Sequence, residues 1–398
     1  MYFQALDDKS ECVGLYHDGK LVFNQSEFPG TISRTWKYSG SLTDPEIEYA
    51  WLYTMGQKLS ECCPEHLVGE LQAKQRKMQA FKKAFELAKI NFREHCFFEM
   101  VPHDFLASFL EVKNKITQHV FENYEKPAVY KHLDSVEKLL HKIRYQKLNI
   151  NNKDARSLFV GGVMRTSAQK ILKSSRFVDY NLFGTKTGRL STYPGSFPML
   201  TMKKELRALV KPVNDWFISL DYNGAEARTV LGLLGIKQPH YDVHEWNIEN
   251  MFKDLGITER EKAKTTFFAW LYNPNSSVIK DSIYDRDSLL KENYNGEFIK
   301  TIFGREIIVD KEKALNYLIQ STTADLVNDR AVVIDEFLKD KKSFVSHIVH
   351  DELVLDVADD EKYLIPELKE MFSKNKLATF ETNLQAGKDY YNLGALNL

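Results

Sequence analysis

At 398 residues and 43% apolar side chains the chain can form two or three domains with sizeable cores, which excludes low-complexity and disordered classes. A formal net charge of −1 excludes attraction of a polyanion through overall charge, so the local distribution of charge matters more. No apolar run reaches 18 residues, and the start Met-Tyr-Phe-Gln-Ala-Leu-Asp-Asp lacks a basic and hydrophobic signal region; a cytoplasmic, intracellular protein with no membrane partner is expected.

The first 35 residues read as a small β unit, with Cys12–Tyr16 and Lys20–Phe23 flanking the turn signal His17-Asp18-Gly19. Four cysteines, at 12, 62, 63 and 96, form no Cys-x-x-Cys pair, so reduced, packed thiols are expected. From Asp44 to about Tyr145 helical patterns dominate, including a basic helix over Gln72–Lys89 and another over Ser135–Gln146. Between Lys131 and Leu190 thirteen Lys/Arg face four Asp/Glu, a local balance of +9 that includes Lys138, Lys142, Arg144, Lys147, Arg165, Lys170, Lys173 and Arg176. Such a stretch can track phosphates; it also fits a solvated charged helix.

Three later segments carry the chemistry. The apolar run Trp216-Phe-Ile-Ser-Leu220 ends on Asp221. Thr258 followed by Glu261 is a capping-box signature that predicts a helix through Tyr272, ended by Asn273-Pro274. On that helix Arg260, Lys264, Phe268 and Tyr272 recur at steps of four, each about 40° round from the last, with the two cations at the N-terminal end that suits phosphate. Finally, Leu353, Leu355 and Val357 mark a strand with one buried face, and Ile348-Val349 suggests a partner strand, with His350-Asp351-Glu352 at the join. Carboxylates at strand ends 130 residues apart, Asp221 and Asp351, can converge as oxygen ligands for Mg²⁺. Each segment alone also fits a plainer reading, an exposed turn acid or an ordinary amphipathic helix.

In this order the segments resemble the motifs of family A, DNA polymerase I-like, DNA polymerases. Asp221-Tyr-Asn-Gly-Ala-Glu-Ala-Arg228 resembles motif A, Arg260-x₃-Lys264-x₃-Phe268-x₃-Tyr272 motif B, and His350-Asp351-Glu352 motif C. Thr187-Gly-Arg-Leu-Ser191, Asn316-x₃-Gln320, Phe303-Gly-Arg305 and Asp242-Val-His244 add to the likeness, which runs from about Val136 to the C-terminus. The resemblance implies an α+β right-hand polymerase: a palm with an antiparallel sheet, helical fingers and a helical thumb, plus a small N-terminal α/β module. The implied division is 1–65 for that module, 66–155 for a thumb-containing helical region, 156–231 and 316–398 for the palm, and 232–315 for compact fingers.

The implied activity is 5′–3′ DNA-dependent DNA synthesis from dNTPs on primer–template DNA by a two-metal-ion mechanism, with Mg²⁺ as cofactor and Mn²⁺ as substitute. By resemblance Asp221, the Tyr222 carbonyl and Asp351 ligate the ions, with Glu352 a nearby acid. Arg260, Lys264 and His244 hold the triphosphate, beside Phe268 and Tyr272. Glu226 contacts Tyr272 beneath the sugar and blocks a ribose 2′-OH, and Phe268 implies discrimination against dideoxynucleotides. Arg189, Asn316, Gln320 and His350 test the newest base pairs from the minor groove. The chain departs from the family at Gly224-Ala225 and Ala227, where larger residues are usual, at Asn273-Pro274, in the Thr192–Phe197 stretch, and at Glu312, where Arg is expected.

The size resembles the compact bacteriophage-type form, which favours a role in DNA replication. Asp7, Asp8 and Glu11 resemble the first motif of a 3′–5′ proofreading domain, but no later motif follows, so no intrinsic exonuclease is expected and a separate exonuclease or processivity protein is an expected partner. A repair or translesion polymerase of the same family, a single-subunit RNA polymerase and a non-catalytic primer–template-binding relic stay as alternatives.

Overall fold

The computed structural model describes residues 3–8, 12–24, 27, 32–42, 46–92, 94–151, 162–276, 279 and 283–397. The expected motif acid Glu11 and the expected domain border at 155/156 lie outside these residues. The chain divides into two compact units, Met1–Lys142 and Ile143–Leu398.

In the first unit, strands β1 (Gln4–Asp8), β2 (Cys12–His17) and β3 (Lys20–Val22) form an antiparallel sheet in chain order. The β2–β3 turn is the predicted one: Asp18 and Gly19 both take positive φ, 45° and 76°, which a two-residue hairpin needs. Two long helices follow, α1 (Val68–Leu87) and α2 (His103–Asn123). Leu71 of α1 is buried; Met78, Phe81 and Phe85, further along the same helix, pack on a core that includes Leu6, Tyr16, Phe105 and Leu110. The basic residues of α1 stay outside, as the amphipathic pattern requires. Helix α3 (Tyr130–Arg144) replaces the expected Ser135–Gln146 helix and starts a turn earlier, with Pro127 and Val129 leading into it.

The second unit is built round an antiparallel five-stranded sheet. Its strands are β4 (Trp216–Tyr222), β5 (Phe344–Val349), β6 (Glu352–Val357), β7 (Thr382–Gly387) and β8 (Gly394–Ala395), in the spatial order β5-β6-β4-β7-β8. Helices α4 (Gly162–Lys173), α5 (Ala225–Leu233), α6 (Val243–Asn247), α7 (Arg260–Tyr272), α8 (Lys311–Phe337) and α9 (Ile365–Ser373) complete the elements that matter below. Register places Asp221 opposite Glu352 on one side and Asn383 on the other. Since cross-strand partners share a face, Phe217, Ser219, Asp221, Glu352, Val354 and Asp356 lie together, and Ile218, Leu220, Tyr222, Leu353 and Leu355 line the opposite face.

That opposite face packs on helices, with Tyr222 stacked on Phe372 of α9 at 4.4 Å. The expectation of a strand buried on one face alone is corrected: Val354 and Asp356 are buried too. His347, Phe217 and Tyr390 pack edge-on over that side, and Asp356 is satisfied by the backbone N–H groups of Val213 and Asn214, so its burial carries no orphaned charge. Among the described residues no helix is long and apolar enough to cross a membrane.

Candidate active site

Asp221 is the next-to-last residue of the central strand β4, and Asp351 lies in the two-residue link between β5 and β6, so the sheet itself brings the two acids to one edge. His350, the other link residue, takes a left-handed φ of 58°, a conformation that costs a non-glycine energy and concentrates at functional sites. Burial, and then the neighbouring Asp351, push the Asp221 carboxyl up to about 7, although Asn383 Nδ2 donates to it at 3.2 Å and Lys264 lies near enough to favour its charge. The pair is therefore short of positive charge. Among the described residues no set of three or more His, Cys, Asp and Glu side chains is arranged to hold a metal ion. What the site offers is two carboxylates beside open space, the sparse oxygen set that suits Mg²⁺ with its remaining positions left to water and phosphate.

Glu352, directly opposite Asp221, is turned to other work. Its Oε1 accepts from Ser219 Oγ at 2.6 Å and its Oε2 from the Tyr390 hydroxyl at 2.7 Å. Both oxygens are engaged by the sheet and the C-terminal segment. Glu352 does not line the cleft in which Asp221 and Asp351 sit.

That cleft has a volume of about 470 Å³ and is lined by Arg189, Asp221, Tyr222, Asn223, Gly224, Ala225, Glu226, Ala227, His244, Arg260, Lys264, Phe268, Tyr272, His350, Asp351 and Asn383. Eleven of the fourteen site residues expected from sequence are among them. Asn316 and Gln320 are not: they lie half-buried one turn apart on α8, with Asn316 Oδ1 buried and unpaired and Gln320 beside the Tyr272 hydroxyl. Asn223 lies inside the Asp221–Arg228 motif without an expected role, whereas Asn383 belongs to no motif and enters through strand pairing, which a linear pattern does not carry.

Helix α7 delivers one side to the cleft. Its first residue is Arg260 with Glu259 as N-cap and no side-chain cap bond, so the predicted Thr258/Glu261 capping box does not form. Glu261 instead pairs with Arg260 at 2.7 Å. Phe267, Trp270 and Leu271 are buried behind the helix, while Phe268 and Tyr272 stack at 5.7 Å with only 8° between ring planes on the cleft side. The step-of-four pattern is thus a cleft face, with Phe268 also packed against the core behind it.

Glu226 is buried, which corrects the plainer reading of a solvated helix acid. It receives the Tyr272 hydroxyl at 2.9 Å and pairs closely with Arg189. Burial raises its pKa against the pull of Arg189 and Tyr272. The Tyr272 hydroxyl is itself held up to about 12, by burial and then by Glu226. Arg189, expected in contact with DNA, is here the partner of Glu226.

Gly224 explains one departure from the family pattern. Its φ is 68°, and a Cβ would stand 2.3 Å from Val243 Cγ1 and 3.5 Å from His244 Nε2. Any side chain at 224 would collide with the helix that carries His244. His244 is 2% exposed with Nδ1 unpaired; burial lowers its pKa to about 4, so it stays neutral at pH 7. Asp242 caps that helix through the N–H groups of His244 and Glu245 and also binds Arg260; burial works against its charge, but these bonds and Asn223 outweigh it and hold the carboxyl at about 2. Arg305 lies against Gly188 in the Thr187–Arg189 loop, and its fork to Asp325 on α8, at 2.7 and 2.9 Å, is almost fully buried; the Phe303-Gly-Arg305 element is thus a structural tie.

A scan against protein-family models finds no match, and a search of curated protein sequences finds none either. Among solved structures the chain is similar to the POL domain of Pol1 from M. smegmatis, determined in complex with DNA primer-template and dNTP, at a TM-score of 0.63 and 12% sequence identity, over 98% of this chain and 95% of that one. At that identity the likeness is one of fold, and it spans both units.

Proposed function

We propose that this chain is a DNA polymerase of the DNA polymerase I-like family, adding dNTPs to a primer 3′-OH opposite a template. One observation carries the reading: the strand-end acids Asp221 and Asp351 share a cleft with Arg260, Lys264, Phe268 and Tyr272 from one helix face. The solved neighbour of the same fold is bound to primer-template and dNTP, which agrees with it. On this reading the five-stranded sheet is the palm, 232–315 the fingers, and the thumb lies within 66–155.

Asp221 and Asp351, with the Tyr222 carbonyl, would hold Mg²⁺, or Mn²⁺ in its place. The bound ions would supply activation of the primer hydroxyl and charge neutralisation on the leaving pyrophosphate. The protein's own residues do the positioning on which phosphoryl transfer mostly depends. Arg260 and Lys264 take the triphosphate at the N-terminal end of α7, where helix dipole and free N–H groups favour an anion. Neutral His244 donates a hydrogen bond there without adding charge. The stacked Phe268 and Tyr272 present a flat apolar surface to base and sugar. Glu226, held by Tyr272, closes the space a ribose 2′-OH would need. Arg189, Asn316, Gln320 and His350 supply minor-groove contacts, Arg189 after leaving Glu226. Glu352, engaged by Ser219 and Tyr390, stiffens the hairpin that aims Asp351. The biological setting we assign is replication, with no intrinsic 3′–5′ exonuclease and with proofreading or processivity supplied by a separate protein.

The test is extension of a labelled primer on a template with four dNTPs and Mg²⁺, beside Asp221→Ala and Asp351→Asn. Wild-type extension, with both variants binding DNA but failing to extend it, is the expected result. Equal extension by all three would remove the metal-ligand assignment, and tight binding without any extension would leave a relic. The same gel without dNTPs is expected to show no shortening of the primer; Asp7-dependent shortening would overturn the absence of proofreading.

A further inference from the structure

We propose that Asp242 competes with the incoming triphosphate for Arg260 and thereby sets how weakly the site holds nucleotide and pyrophosphate. The proposal rests on the reading of the cleft as a nucleotide site and adds to it a residue with a negative sign.

Arg260 is not free to meet an anion. Its Nε and Nη2 both donate to Asp242 Oδ2, at 3.0 and 2.7 Å, and its Nη1 donates to Glu261 Oε1 at 2.7 Å. A guanidinium has five N–H donors in a rigid fork, so one whole edge is spent on a carboxylate. Arg260 keeps 41% of its side-chain surface exposed, whereas Asp242 keeps 16%. The cation can therefore swing away and the anion cannot.

Asp242 is immobilised from three directions. Its Oδ1 accepts from the backbone N–H groups of His244 and Glu245, at 2.9 and 3.1 Å. Its Oδ2 also accepts from Asn223 Nδ2 at 3.0 Å. Asn223 is in turn clasped by Arg228, which is fully buried and binds the carbonyls of Asn223, Pro239 and Tyr241 at 2.6, 2.8 and 2.6 Å. This network runs from the turn after the catalytic strand to the base of α7. It keeps a full negative charge beside the place where phosphates must arrive. When the triphosphate takes Arg260, Asp242 stays behind, still capping α6 but without its cation.

Such an arrangement costs affinity and gains release. An exposed-side ion pair of this kind is worth about 0.2–1 kcal/mol, so freeing Arg260 is expected to tighten triphosphate binding by up to about fivefold. Asp242→Ser separates this from a purely structural role. Serine is a good N-cap and keeps the acceptor for α6, but it is too short to hold Arg260 and carries no charge. If Asp242 served only as the cap that aligns His244, no variant would bind an anion more tightly than the wild type.

Calorimetric titration of the full chain with inorganic triphosphate, without DNA and without divalent cation, is the direct experiment, with Asp242→Asn as a second variant should serine fold poorly. Tighter binding in Asp242→Ser or Asp242→Asn, by about two- to fivefold, is expected, together with a fall in dNTP KM that exceeds any change in kcat and stronger inhibition by pyrophosphate. Unchanged or weaker binding in the folded variants overturns the proposal. Primer extension by the wild type is scored separately. Extension without tighter binding in the variants sinks the competition and leaves the polymerase reading standing. Tighter binding without extension does the reverse.

Discussion

Glu226 is the residue whose placement costs most and says most. A carboxylate buried beside an aromatic pair is held only because Tyr272 and Arg189 both bind it. Its truncation in Glu226→Ala opens space under Tyr272 and releases Arg189. Discrimination against one extra hydroxyl by shape alone is worth about 1–3 kcal/mol, so ribonucleotide incorporation is expected to rise by roughly ten- to a hundredfold relative to dNTP. Single-nucleotide kinetics with matched rNTP and dNTP read this directly; an unchanged ratio would remove Glu226 from the sugar pocket. The motif made Glu226 legible in sequence, but nothing in the linear pattern showed that Arg189 would be its ion-pair partner. That contact joins positions 37 residues apart through the fold.

At the scale of elements, the turn from β4 into α5 is tuned to its neighbour α6. Gly224 is left-handed and has Val243 where a side chain would go. Gly224→Ala therefore meets two penalties, strained backbone and a methyl–methyl collision, together about 2–4 kcal/mol. The expected outcome is a lowered melting temperature and a raised dNTP KM, because relief of the clash displaces the helix that carries His244. A variant as stable as the wild type, with unaltered KM, would show that α6 is free to move and that the small residue has another cause. The start of α7 teaches the opposite lesson. The Thr258/Glu261 signature promised a capping box, yet Glu261 turned to Arg260, because an arginine at the first position offers it a charge-assisted partner that a backbone N–H does not.

At the scale of the whole molecule, the sheet beneath the acids sets behaviour in acid. His347 is fully buried against Phe217 and Tyr390 with Nε2 unpaired, and burial lowers its pKa to about 3. The unfolded chain takes up this proton near pH 6.5 and the folded chain does not, so the contribution is whole above about pH 6.5 and is lost as pH falls toward 3. At pH 5 the loss is about 2 kcal/mol. Melting curves of wild type and His347→Phe at pH 7.5 and 5 are expected to show a larger acid-induced fall in the wild type; equal falls would mean that His347 accepts its proton within the fold. What the amino-acid order determined by itself were the local features: the β2–β3 hairpin, the helix that carries Arg260, Lys264, Phe268 and Tyr272 on one face, and acids at the ends of apolar strands. These rest on turn chemistry, helical period and strand alternation, all of which act within a few residues. Only the tertiary structure decided which partners those side chains meet. Strand register set Glu352 and Asn383 on either side of Asp221, and packing put a fixed Asp242 against Arg260, because such contacts join residues far apart in the chain and depend on how whole elements dock.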